Sequence, residues 1–185
     1  GDPVQFTKDE NPRPDISLEK LARLRPAFEK DGTVTAGNAP GLNDGSAACV
    51  VVSEKYLKEK NLTPMARVVE YAVAGVEPKE LFFSPIFAVK KLMDKMGVDI
   101  NHWDLIEANE AFSAQALADG KELGWDWDRV NVHGGAVALG HPIGASGTRV
   151  LTTLMYALKD RGLKKGLATL CLGGGHAVAC AIEMV

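Results

Sequence analysis

Residues 134–147 read GGAVALGHPIGASG, five glycines in fourteen residues around one His-Pro pair. Glycine weakens helix and strand interiors, so a stretch this rich in it is a loop whose backbone approaches something closely. Directly after it, Ser146 opens a helical pattern with Val150, Leu151, Leu154, Met155 and Leu158 on one face and Gly162 at its end. Directly before it, Val130–Val132 reads as a short strand. Strand, glycine-rich loop and helix in succession is how α/β folds present a ligand at a strand's carboxyl end. The chain holds 19 glycines in 185 residues, and the excess gathers here and in Gly173–Gly175.

The flanking sequence supports the same fold class. Pro3, Pro12 and Pro14 keep the first 16 residues irregular, and Ser17 is placed to cap a short helix, Leu18–Arg25. Ala47–Ser53 is apolar and β-branched and reads as a buried strand, with Ser53 capping a helix over Glu54–Lys60. Arg67–Ala74 is a valine-rich strand. Ser84-Pro85 starts a helix that buries Ile86, Val89, Leu92, Met93 and Met96 and stops at Gly97. Asp104–Glu107 is a short strand followed by a helix across Phe112–Leu123. Leu167–Leu172 and Ala177–Val185 are the last two strands. The order predicts an α/β, α-β-α layered fold around a mixed, mostly parallel five-stranded sheet whose last pair is antiparallel. Residues 1–32 read as an appendage and 33–185 as one domain.

Composition excludes several classes of function. Lysine and arginine number 21, aspartate and glutamate 24, for a net charge of −3. That balance argues against nucleic acid or an anionic membrane as the partner. No apolar run reaches the length of a membrane span, and the polar, proline-rich N-terminus resembles no targeting peptide. Three cysteines suit a reducing cytoplasm better than a disulfide framework.

Three segments carry candidate chemistry, each at the end of an expected strand. His141 sits between glycines, ahead of a helix N-terminus whose amides and dipole would lie nearby. A buried histidine satisfied by loop carbonyls is the plainer alternative. Cys171 ends an apolar strand before three glycines whose bare amides could form an oxyanion hole; an inert core cysteine is its alternative. Asn109, flanked by Glu107 and Glu110, either orients a water or caps the next helix. The glycine spacing matches neither the dinucleotide fingerprint nor a phosphate loop. Cys171, Cys180, His133, His141 and His176 fit no common zinc spacing, and no metal is expected.

Asn109-Glu110-Ala111-Phe112, the block Gly134–Gly147 and Cys171-Leu172-Gly173-Gly174-Gly175 together closely resemble the three carboxy-terminal signatures of thiolases. Asn43-Asp44-Gly45 and Leu24-Arg25-Pro26-Ala27-Phe28 match further stretches of the family. The resemblance covers essentially the whole chain and fits the second half of a two-half thiolase core. It implies an acyl-CoA C-acyltransferase, joining two acetyl-CoA into acetoacetyl-CoA plus CoA or running the reverse thiolysis. It implies that His141 activates a nucleophilic cysteine and, with a water on Asn109, stabilises a thioester oxyanion. Cys171 would move the α-proton, and the Gly173 amide would serve a second oxyanion hole. Arg13, Leu24, Phe28 and Pro40 would lie against coenzyme A, and Leu81 and Phe112 against the acyl group.

Two departures stand out. Pro40 occupies a position where the family often has a serine bonding the pantetheine chain, and proline lacks both the hydroxyl and the amide hydrogen. Phe82-Phe83-Ser84 replaces a smaller, glycine-containing segment, which would reshape the acyl pocket. The acylated cysteine belongs to the amino-terminal half, and neither Cys49 nor Cys180 sits in its motif. The initial Gly1 suggests a cleaved or tagged chain. The expected partners are therefore an acyl-CoA substrate, an amino-terminal half and further copies in a dimer or tetramer. No cofactor is expected beyond the coenzyme A thioesters themselves. Alone the chain is expected to be inactive. The alternative is a non-catalytic module that binds coenzyme A or lipid.

Overall fold

The computed structural model describes all 185 residues. Two short helices, α1 (Leu18–Ala22) and α2 (Glu54–Lys60), precede the core, and the hydroxyls of Ser17 and Ser53 cap them. The core then runs β1 (Ala66–Gly75), α3 (Ser84–Met96), β2 (Leu105–Ala108), α4 (Ser113–Leu123), α5 (Ala136–Leu139), α6 (Ser146–Arg161), β3 (Lys165–Leu172) and β4 (His176–Met184). No helix is long and apolar enough to cross a membrane.

The sheet has four strands in the order β1-β4-β3-β2, where five were expected. Only β2 and β3 run parallel; β3 with β4 and β4 with β1 are antiparallel, so the sheet is mixed but not mostly parallel. The fifth strand, Val130–Val132, shrinks to one parallel bridge between Ile106 and Val130. The cause is Asn131, whose φ of 48° turns the backbone out of an extended path. Its side chain takes over the ladder: Oδ1 accepts from the Ala108 amide at 2.8 Å and Nδ2 donates to the Ala108 carbonyl at 2.9 Å.

Ala47–Ser53 is also not a buried strand. It is extended but pairs with nothing, and Val50 and Val51 are 92% and 80% exposed. A strand needs a neighbouring edge, and neither edge of this sheet is offered to it. Helix α1 ends at Ala22, short of the expected Arg25.

Period-2 alternation divides the sheet's side chains between two cores. Ile106, Ala108, Leu167, Ala177, Ala179 and Ala181 meet Ala88, Val89 and Leu92 of α3. On the other face Leu105, Ala168 and Ile182 meet Val150, Leu154, Ala157 and Leu158 of α6. This is the expected layering, helix on sheet on helix. Helix α6 lies close on β3 because Gly166 has no side chain: a Cβ there would stand 2.8 Å from Leu154 and Leu158. Leu151 and Met155, expected on the same stripe, are only half-buried on its flank.

Candidate functional site

The parallel pair β2–β3 sets the site. The Asn109 amide donates to the Thr169 carbonyl at 3.0 Å, so Asn109 leaves β2 beside the end of β3, two residues before Cys171. Helix α6 packs across both strands, and its first turn carries the loop bearing His141 to the same end of the sheet. Asn109, His141 and Cys171 thus gather at one edge, at the carboxyl ends of the two parallel strands.

His141 is held at two points, its backbone and its ring. Its amide donates to the Gly41 carbonyl at 3.0 Å. Its Nδ1 lies 2.6 Å from the Ser146 hydroxyl, which also lies 3.1 Å from the Pro142 carbonyl. A hydroxyl has one proton. Given to Pro142, it leaves the Ser146 oxygen to accept from Nδ1–H, and Nε2 becomes the free, basic nitrogen. Burial, and then the positive Arg149, lower the imidazole pKa below its usual value, so the ring is neutral near pH 7. The loop turns at Gly140, with φ of 97°, where a Cβ would collide with the Asn43 side chain. The expected helix-terminal donor at Ser146 is not free: its amide already donates to the Pro142 carbonyl at 2.9 Å.

Asn109 is 1% exposed, and neither its Oδ1 nor its Nδ2 has a partner within the chain. It does not cap α4, whose N-cap is Phe112. Its amide is available to a ligand or a water. Glu110 instead braces the glycine block, with Oε2 accepting from the Val137 amide at 2.9 Å.

Cys171 is half-buried like Cys180, Cys49 is exposed, and all three are free thiols. Burial, and then the charge of Asp119, push its thiol pKa up. At neutral pH it rests as a thiol, and its thiolate is correspondingly a strong base. Next to it Gly173 is exposed, and the Gly173 and Gly174 amides donate to no backbone acceptor.

Of the residues expected at coenzyme A and the acyl group, the structure brings Phe28 and Phe112 edge to face, with centroids 5.9 Å apart. Phe82, one of the unusually bulky rings, packs on the other side of Phe112 at 5.1 Å. Leu81 and Pro40 are half-buried, and Leu24 borders Gly37 at the surface. Arg13 stands apart, exposed and without a side-chain bond to any of them. Beside the His141 loop an open groove of about 430 Å³ runs between residues 43–47 and 142–145.

Sequence reasoning missed three residues here. In the sequence Ser146 stands out only as a helix start, Asn131 only as part of the strand Val130–Val132, and Arg149 not at all. A serine five residues after the histidine, at a helix's first turn, is a readable signal. The other two become visible only when β2, α6 and the loop are assembled.

The thiolase C-terminal domain family model matches residues 62–184, and the thiolase N-terminal domain model matches residues 1–55. The acetyl-CoA acetyltransferase of Thiocystis violacea is 57% identical over 183 residues, which is 99% of this chain and 46% of that protein. The crystal structure of the Bacillus anthracis acetyl-CoA acetyltransferase superposes with a TM-score of 0.93 at 55% identity, covering 98% of this chain and 46% of that one. An Ascaris suum thiolase in complex with coenzyme A superposes at 0.86 with 49% identity, over 92% of this chain and 45% of that one. The chain spans about half the length of the curated relatives it matches. Its matched domains, its identity to these enzymes and its shared fold establish that the chain belongs to the thiolase family.

Proposed function

We propose that this chain is the carboxy-terminal part of an acetyl-CoA acetyltransferase, acting with an amino-terminal half that supplies the nucleophilic cysteine. The observation that carries the reading is the gathering of Asn109, His141 and Cys171 at one strand edge, with His141 Nε2 left as the free base. In the acylation step Nε2 takes the proton of the nucleophilic thiol, which attacks the thioester, and gives it to the departing sulfur, so that CoA leaves as a thiol. In condensation Nε2 takes the Cys171 proton, and the resulting Cys171 thiolate takes the α-proton of a second acetyl-CoA. The carbanion attacks the acyl-enzyme, and the nucleophilic cysteine leaves with the proton of the imidazolium. The imidazolium and a water on the Asn109 amide are suited to the developing enolate oxygen, and the unpaired Gly173 amide to the acyl oxyanion.

Coenzyme A thioesters are the substrates, and no cofactor or metal enters these steps. The Phe28–Phe112–Phe82 cluster is a suitable wall for the pantetheine arm and a short acyl group. Residues 1–32 belong in this reading to a loop region. Residues 62–184 belong to the carboxy-terminal domain, and residues 33–55 go with the amino-terminal half, to which 47–53 would add a strand. A dimer or tetramer is the proposed assembly and the cytoplasm the proposed place, the latter in keeping with three free thiols.

The test is Cys171→Ala in the complete enzyme. Condensation is expected to be lost while radiolabelled acetyl still accumulates on the nucleophilic cysteine. Loss of acylation together with condensation would overturn the division of roles. Binding of acetyl-CoA with no acyl transfer by the unaltered enzyme would leave the non-catalytic module instead.

A further inference from the structure

The chain turns from β3 to β4 through three successive glycines, Gly173–Gly175, beginning two residues beyond Cys171. Many backbone conformations are open to such a segment, since no Cβ restricts φ or ψ. Its flanks are fixed. The Gly175 carbonyl accepts from the Val76 amide at 2.7 Å. The His176 carbonyl lies 2.8 Å from the hydroxyl of the buried Ser84, and Leu172 and His176 form the last pair of the β3–β4 ladder. Gly173 and Gly174, in between, bond to no backbone group, and a Cβ on Gly173 would meet nothing within 4 Å. One contact holds this part of the turn: Nδ1 of His176 lies 3.3 Å from the Gly173 carbonyl. A carbonyl only accepts, so Nδ1 carries the proton and donates it. The ring itself is seated between two glycines, since a Cβ on Gly75 or on Gly174 would stand 3.6 Å from it.

We propose that His176 is a positioning residue for the reaction, its ring clamping the Gly173 carbonyl so that the glycine turn presents its free amides to the acyl oxyanion in one orientation.

Holding the carbonyl fixes ψ of Gly173. Because the peptide is planar and trans, it also points the Gly174 N–H away from the ring. The Gly173 N–H follows directly on the ladder pair of Leu172 with His176, so the turn is anchored on both sides of Gly173. An oxyanion donor is effective when its direction is set before the charge develops, and a donor that must be ordered during the reaction loses that advantage. His176 acts on the reaction only through the turn.

The inference rests on the reading of the Gly173 amide as a donor to the acyl oxyanion. Its test uses the complete enzyme with His176→Leu, which removes the donor, and His176→Asn, whose Nδ2 can take the place of Nδ1. Single-turnover release of CoA from acetyl-CoA reads acylation. Alkylation of Cys171 by iodoacetamide, followed by mass spectrometry of its peptide, reads the end of β3 independently of activity. His176→Leu is expected to lower the maximal acylation rate roughly threefold to tenfold, the size of one neutral hydrogen bond, with the half-saturating acetyl-CoA concentration within about twofold. His176→Asn should restore most of the loss, and Cys171 alkylation should be unchanged in both. If His176→Leu unfolds at a lower temperature than the unaltered enzyme, His176→Ala replaces it. Acylation by the variant without a donor at the unaltered rate would overturn the proposal, and so would His176→Asn as slow as His176→Leu. A change in Cys171 alkylation accompanying the slower acylation would overturn it too, as a sign that the whole hairpin has loosened. No acylation by the unaltered enzyme would instead refute the proposed activity, and with it the role of the turn.

Discussion

The Ser146 hydroxyl decides which nitrogen of His141 can accept a proton, so its removal has a defined consequence. Ser146→Ala in the complete enzyme frees Nδ1 and lets the ring turn or change tautomer. A hydrogen bond of this kind is worth about 1 kcal/mol, so kcat/KM should fall roughly fivefold to tenfold in both acylation and condensation, with Ser146→Thr largely restoring it. Separate single-turnover measurements of the two half-reactions check this. A second consequence belongs to Asp119, fully buried on α4, where Oδ2 accepts from Gln115 and Oδ1 has no partner in the chain. Burial raises its carboxyl to about 7, with the Gln115 bond opposing. The folded state thus holds this proton more tightly than the unfolded chain, whose aspartates titrate near 4. Stability from this group is complete below the unfolded pKa and is lost as pH rises through about 7. Asp119→Asn should therefore stabilise the protein at pH 8 by up to a few kcal/mol, at about 1.4 kcal/mol per pKa unit, and hardly at pH 4. Thermal melts at the two pH values check the sign. The variant should also lower the Cys171 thiol pKa, since Asp119 helps to raise it.

Elements were legible where one residue class set both their limits. A serine cap for α2, and for α3 and α6 a serine start, helical spacing and a closing glycine, were enough, and the bounds in the structure match. The glycine block, His141 and Cys171 were legible because glycine at strand ends has few other uses. The sheet's edge was not. Val130–Val132 has the composition of a strand, but the left-handed Asn131 and its side-chain bonds to Ala108 depend on β2 being next to it. Ala47–Ser53 has the composition of a buried strand, but it pairs with no strand of this sheet and its valines stay exposed. The pairing of β1 with β4 was equally hidden, because local periodicity does not say which strand a partner will be. The close packing of α6 on β3 gives an element-scale prediction. Gly166→Ala places a methyl against Leu154 and Leu158 and should cost about 1–3 kcal/mol, read as a lower denaturant midpoint in the complete enzyme. A paired Leu158→Ala change should recover part of the loss, which separates overpacking from an intrinsic strand effect.

At the scale of the molecule, apolar side chains remain uncovered on the surfaces that flank the His141 loop. Val50 and Val51 lie on an extended segment with no strand partner, and Tyr156 on α6 is 48% exposed beside the half-buried Leu151 and Met155. The Cys49 thiol lies 3.6 Å from the Thr152 hydroxyl, so the extended segment runs against α6 and the two form one surface. An unpaired, β-branched strand is a template for pairing with another chain, and contiguous apolar patches are uncommon on stable monomers. In the proposed reading the amino-terminal half is the occupant of that surface, since the chain spans 46% of the length of such a relative. By itself the chain should therefore associate with its own copies, and with the amino-terminal half it should form a discrete soluble complex. Sedimentation velocity distinguishes these outcomes. The paired change Val50→Glu and Val51→Lys should suppress self-association of the isolated chain and also block assembly with the amino-terminal half, because one strand edge serves both. Self-association that persists in this variant would place the sticky surface elsewhere. A stable, folded monomer of the unaltered 185-residue chain would mean that the surface needs no partner.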